Sequence, residues 1–174
     1  MKYIIDTNVP KKAANCTPAT LLDKQCSLAC LNFIRNLMQS RDILVLDGGG
    51  EILKEYRNNC LSSGQDNVAT IFLNWVLRNL TLREGSRIET YPITKLSEGS
   101  YAEYPTLPNL SAFDPSDKKF IALSSAHPEH PHIVEGSDSL WWGFKDAFES
   151  IGIHIIFLCE DYVRSVYEES NDVR

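Results

Sequence analysis

The feature that most constrains this chain is the spacing of its short apolar runs. Residues 2–5, 43–46, 132–134 and 153–158 are brief stretches dominated by Ile, Val and Leu, and long segments separate them. Parallel strands need crossovers of a dozen residues or more, whereas a hairpin needs only a few. Strand–helix alternation of this kind points to an α/β fold, a three-layer α/β/α arrangement with a mostly parallel central sheet covered on both faces. With 174 residues and 43% hydrophobic content, the chain is expected to form one domain over 1–174 around a real core.

The segments between the runs fill in this outline. Residues 10–19 are small and polar and read as a loop. A helix is expected over about 20–39, with Leu22, Cys26, Ala29, Cys30, Phe33 and Leu37 on one face. Asp47-Gly48-Gly49-Gly50 reads as a tight strand-to-helix turn, with Asp47 a turn or cap residue. It lacks the Gly-Lys-Ser/Thr ending of a phosphate-binding loop. A helix begins at Glu51 and is broken by Ser62-Ser63-Gly64. Asp66 is placed as the cap of a helix over about 66–80, with Val68, Ile71, Phe72, Trp75, Val76 and Leu80 inward. Ile88 to Ile93 reads as a short edge strand, because Pro92 argues against a central one. A long loop is expected at about 95–113. Its Tyr101 and Tyr104 either stack on unpaired bases or anchor the loop to the body. Further helices are expected over 116–126, 139–150 and 160–169.

Charge and composition remove several classes. A net charge of −6 argues against a general polyanion-coating protein. It does not exclude a chain that reaches phosphate through bound cations. No apolar run is long enough to span a bilayer. The first strand begins at once, without a signal peptide, so a cytoplasmic location and no membrane partner are expected. The five cysteines lack regular spacing and read as free thiols in a reducing compartment. His127, His130 and His132 lie in a Pro-stiffened stretch without a nearby cysteine, which does not favour a zinc set.

The chemistry-bearing pattern is a series of acidic residues at strand ends and helix starts. Asp6 ends the first strand, and Thr7-Asn8 follows it. Glu51 or Glu55 lies in the first turns of the helix after the second strand. Asp114 and Asp117 bracket the start of another helix, and Asp138 follows Ile133-Val134. Parallel strands would bring all of these to one rim. Crowded carboxylates raise one another's pKa and favour a shared cation. Hard oxygen ligands suit Mg²⁺, and a pair of such ions serves phosphodiester cleavage. Each residue also has a plainer reading: Asp114 and Asp117 as caps, Glu51 as a first-turn charge. Lys11, Lys12, Lys118 and Lys119 are placed to meet phosphate, or are solvated charges.

The motifs Tyr3-Ile4-Ile5-Asp6-Thr7-Asn8-Val9, Glu51–Tyr56, Phe113–Leu123 and Ile133–Asp138, in that order, resemble the PIN-domain nucleases. That resemblance spans nearly the whole chain. It implies Mg²⁺ or Mn²⁺ held by acidic residues and hydrolysis of RNA phosphodiester bonds, in a toxin-like or RNA-processing setting. Asp6 would be the first metal ligand, Glu55 (a better match than Glu51) the second, Asp117 with Asp114 beside it the third, and Asp138 the fourth. Asn8, Lys11, Lys118 and Lys119 would contact the RNA substrate. A cognate protein inhibitor and a homodimer are partners that such a role accommodates. The sequence departs from the family at Ser139-Leu140, where a further Asp is common, and in the length of the loop around 95–112. Two other readings stand beside it. One is a catalytically degenerate PIN-like binding module. The other is a small-ester phosphohydrolase, disfavoured because Asn8 occupies the place of a required second Asp.

Overall fold

A computed structural model describes residues 1–15, 17–61 and 67–172. In chain order the elements are β1 (Lys2–Ile5), α1 (Asn8–Ala13), α2 (Leu21–Gln39), β2 (Ile43–Asp47), α3 (Glu51–Cys60), α4 (Val68–Leu80) and β3 (Ile88–Tyr91). They continue with β4 (Lys95–Ser97), β5 (Ser100–Tyr101), a 3-10 turn (Pro108–Leu110), α5 (Lys118–Ala126) and β6 (His132–Glu135). A second 3-10 segment (Ser139–Phe144), α6 (Lys145–Glu149), β7 (Ile155–Phe157) and α7 (Glu160–Asp172) complete the chain.

The expected α/β class is observed. Five strands form one sheet in the order β3-β2-β1-β6-β7, and every pairing in it is parallel. From β1 the chain winds outward through β2 to β3, then returns across the sheet to β6 and β7. Right-handed crossovers therefore put the helices that connect β1, β2 and β3 on one face and α5, which leads to β6, on the other, while α7, which follows the last strand, returns to the face of α2. Accordingly α2 packs with α1, α4 and α7, while α5 lies on β1, β2 and β6. The winding reverses between β1 and β6. In open α/β sheets the crevice at such a reversal, past the carboxyl ends of the strands, is where ligands sit. Ile4, Ile5, Ile133 and Val134 of the two central strands are fully buried, consistent with cover on both faces.

Several local expectations are corrected. The stretch read as loop at 10–19 begins with α1, in which Pro10 sits in the first turn, where its missing N–H is harmless. The inward face of α2 is Asp23, Cys26, Ser27, Cys30, Ile34 and Leu37, and Leu22 points outward. Thr20 caps this helix by accepting from Asp23 N, and Asp23 is drawn inward by an ion pair with Lys12. Helix α4 is capped by Asn67, whose side chain accepts from Thr70 N; Asp66, expected in that role, lies outside the described residues. Phe72 and Val76 are buried as expected, but Ile71 is exposed and Leu73 is buried in its place.

The loop at 95–113 is not uniformly irregular. It contains the antiparallel β4–β5 hairpin. Its turn residue Gly99 has φ +65° and rests on Pro115, where an added Cβ would come within 2.6 Å of the proline ring. The helix expected at 139–150 divides into the 3-10 segment and the short α6. The reading of all cysteines as free thiols is also corrected. Cys26 and Cys159 form a disulfide, while Cys30 and Cys60 are free and buried. Among the described residues, no helix is long and apolar enough to cross a membrane.

Candidate metal centre

The register of the central strands builds the site. Ile5 is paired with Val134, so the next residues, Asp6 and Glu135, end adjacent strands side by side. The Asp6 amide donates to the Val134 carbonyl at 3.0 Å and continues the ladder to its last rung. The Asp6 carboxylate is only 1% exposed and accepts from the Asn8 amide at 2.7 Å. Burial, then the nearby charges of Asp117 and Glu55, push its pKa up to about 8.

Helix α3 delivers Glu55. Gly50, in the left-handed region at φ +77°, lets the chain turn from β2 into this helix. Asp47 then accepts from the amides of Glu51 and Ile52, both at 2.8 Å, which gives it the capping role expected for it. One residue past Glu55, the Tyr56 hydroxyl donates to the Ile5 carbonyl at 2.6 Å and fixes the helix beside Asp6. Of the two candidates on this helix, Glu55 faces the cluster. Glu51 instead pairs with Lys95 of the hairpin at 2.7 Å.

The start of α5 supplies Asp117. Its carboxylate accepts from the Trp141 indole N–H at 3.2 Å, and burial is the main cause that lifts its pKa to about 6. Asp114 folds back on its own turn, accepting from Ser116 N at 2.8 Å, and stands at the margin. Asp138 caps the 3-10 segment by accepting from Leu140 N at 2.9 Å, and burial raises its pKa.

Sequence reasoning missed Glu135. It is fully buried at the end of β6. One carboxylate oxygen accepts from Asp138 N at 2.9 Å; the other, Oε2, is buried without a partner. Burial, followed by repulsion from Asp6, drives its pKa well up. The signal was available: an apolar strand running into an acid, the same pattern that singled out Asp6.

The basic residues divide. Lys119 is buried and pairs with Glu55 at 2.5 Å, while also donating to the Ser116 carbonyl. Lys118 lies over the Tyr104 ring. Lys12 is turned away, toward Asp23 and Tyr162. Lys11 is exposed on α1, and Asn8 meets the acids through its backbone amide, which donates to Asp6. Tyr101 is buried, and Tyr104 donates to the Leu110 carbonyl and stacks on Phe113, so both anchor the loop. The histidines are engaged elsewhere: His127 with Glu89, His130 with the Ser124 carbonyl, His132 against the His154 ring.

Hard oxygen donors and the orphaned Glu135 Oε2 suit a divalent cation of the Mg²⁺ or Mn²⁺ kind. Among the described residues, no three carboxylates bring an oxygen each within 4.8 Å of one another. That spacing fits an ion that keeps much of its water, not one enclosed by protein. Beside the cluster, a cleft of about 250 Å³ opens between α3 and the hairpin, with Lys54, Glu55, Tyr101 and Lys119 on its walls. Comparison with family models, with curated proteins and with solved structures finds no match to this chain.

Proposed function

We propose that the chain is a metal-dependent endoribonuclease of PIN-like type, hydrolysing RNA phosphodiester bonds in a cytoplasmic toxin-like or RNA-processing role. The observation that carries this reading is the convergence of the buried Asp6 and Glu135 with the half-buried Asp117 and Glu55 at the point where the strand order reverses. Buried acids without enough counter-charge are costly, and a cation is the usual remedy.

Asp6, Glu55, Asp117 and Glu135 would hold Mg²⁺ or Mn²⁺, no more than two of them directly and the others through its water, with Asp138 and Asp114 as outer groups. When bound, the ion supplies an activated water and neutralises charge developing on the phosphate. The chain's own residues do the rest. Tyr56 and Trp141 hold α3 and Asp117 in place through single hydrogen bonds. Without metal, Asp6 keeps a proton near neutral pH. The Lys119 ammonium offsets part of the negative charge and stands at the wall of the cleft along which a phosphate backbone would approach. The test is cleavage of labelled single-stranded RNA with Mg²⁺ or Mn²⁺. Activity lost with chelator and in Asp6→Asn supports the reading; undiminished cleavage by Asp6→Asn removes it.

The Lys119–Glu55 pair also favours a second reading, a PIN-like module that binds RNA or a protein without cutting it, its acids balanced internally. Calorimetric titration separates the two, because a scaffold takes up no divalent ion at the cluster.

A further inference from the structure

We propose that Cys26, Cys30 and Cys159, when reduced, form a second metal site, selective for a thiophilic d10 cation such as Zn²⁺ or Cu⁺. Among the described residues, these three are the only trio of Cys, His or acidic groups whose ligand atoms all lie within 4.8 Å of one another, and all three are buried. Cys26 and Cys30 are one turn apart on α2 and share a face. Cys159 comes from the other end of the chain. Its carbonyl accepts from Val163 N at 2.9 Å, so it caps the N-terminus of α7, where a thiolate is favoured.

The spacing suits metal better than it suits a cross-link with an idle neighbour. Cys30 Sγ lies 3.8 Å from Cys159 Sγ. Sulfurs held at about 2.3 Å from a tetrahedral zinc are themselves about 3.8 Å apart. The three sulfurs form a triangle, so Cys30 meets the Cys26–Cys159 bond from the side and not along its axis, which does not suit exchange. A cavity of about 200 Å³ opens at Cys26 and Cys159, with Glu160 and Asp161 on its walls. It offers a cation a way in and leaves room for water as a fourth ligand. Thiolates select soft ions, whereas the acidic cluster takes hard ones, so the two centres do not compete. They are close, however: Gly136, next to Glu135, packs so tightly that a Cβ there would sit 3.2 Å from Cys30 Sγ.

Loading proceeds in two balanced steps. The disulfide first takes two electrons and two protons, from two thiols that leave as a disulfide, or from a phosphine and water that leave as the phosphine oxide. The cation then displaces one proton from each of the three thiols. The test uses the full chain, reduced with a phosphine without oxygen, and titrated with Zn²⁺ or Cu⁺ against a chromophoric chelator. One equivalent of either ion is expected to bind. Affinity should drop by about 100-fold or more in Cys26→Ser, Cys30→Ala and Cys159→Ser, and stay unchanged in Cys60→Ala and Asp6→Asn. In the unaltered chain, bound metal should protect Cys26, Cys30 and Cys159 from alkylation, read by peptide mass spectrometry. No binding of either ion, binding indifferent to Cys30→Ala, or protection of fewer than these three thiols would overturn the proposal.

Discussion

Asp6 and Glu135 stand side by side at the ends of two parallel strands because Ile5 is registered on Val134. Two acids so placed in a buried crevice cannot both ionise at ordinary pH unless something positive joins them. From this pairing follow expectations for variants, pH and metal.

Glu135→Gln is the sharpest test of the pair. The amide oxygen can still accept from Asp138 N, so the loop after β6 should keep its shape. Metal affinity at the cluster, measured by calorimetry with Mn²⁺, should fall by at least about 100-fold. The metal-free variant should melt higher than the parent near pH 8, because the parent must either hold a proton on Glu135 or bury its charge and the amide does neither.

Metal-free stability should depend on pH in a defined direction. Burial raises Asp6 to about 8 and Asp117 to about 6, both above the ordinary carboxylate range. Between about pH 4 and pH 8 the folded chain therefore binds more protons than the unfolded chain. Its stability falls as pH rises through that window, and the raised Glu135 carboxyl acts in the same direction. Urea melts with chelator across these values check the slope. Added Mg²⁺ or Mn²⁺ should oppose the decline at the alkaline end, by about 1.4 kcal/mol at ten times the dissociation constant.

Glu51 and Glu55 separate cleanly. Glu55→Gln should lower RNA cleavage by about 100-fold or more. Glu51→Gln should leave cleavage near the parent rate, because Glu51 is engaged with Lys95 of the hairpin. Equal losses in the two variants would argue that the hairpin pair belongs to the reactive centre.

Lys119→Met removes the buried partner of Glu55. Because Glu55 is partly exposed, the expected loss is about 1–3 kcal/mol, below that of a fully buried pair. The loss should shrink when Mn²⁺ is present, since the ion supplies the missing charge. Denaturant titration with and without Mn²⁺ reads the difference.

Much of this architecture was legible because parallel strands buried on both faces read as plain apolar runs. Tyr3-Ile4-Ile5 and Ile43–Leu46 announce themselves, and Asp6 is conspicuous at the end of the first. Glu135 obeys the same rule, but it lies just past the run expected at 132–134, and Asp138 stood as the acid following that strand. The inward turn of α2 was misread because Asp23 and Ser27 are polar and their burial depends on Lys12, from another element. Helix α1 and the β4–β5 hairpin are too short for periodicity to register. The disulfide joins residues 133 apart in the chain, a proximity that only the packing of α7 near α2 creates.

The indole of Trp141, hydrogen-bonded to Asp117 and packed edge-on against Phe113 at 5.0 Å, gives the protein a built-in optical probe. Any cation that draws Asp117 toward itself must disturb that bond, so occupancy of the acidic crevice should be readable from intrinsic fluorescence, with no label attached.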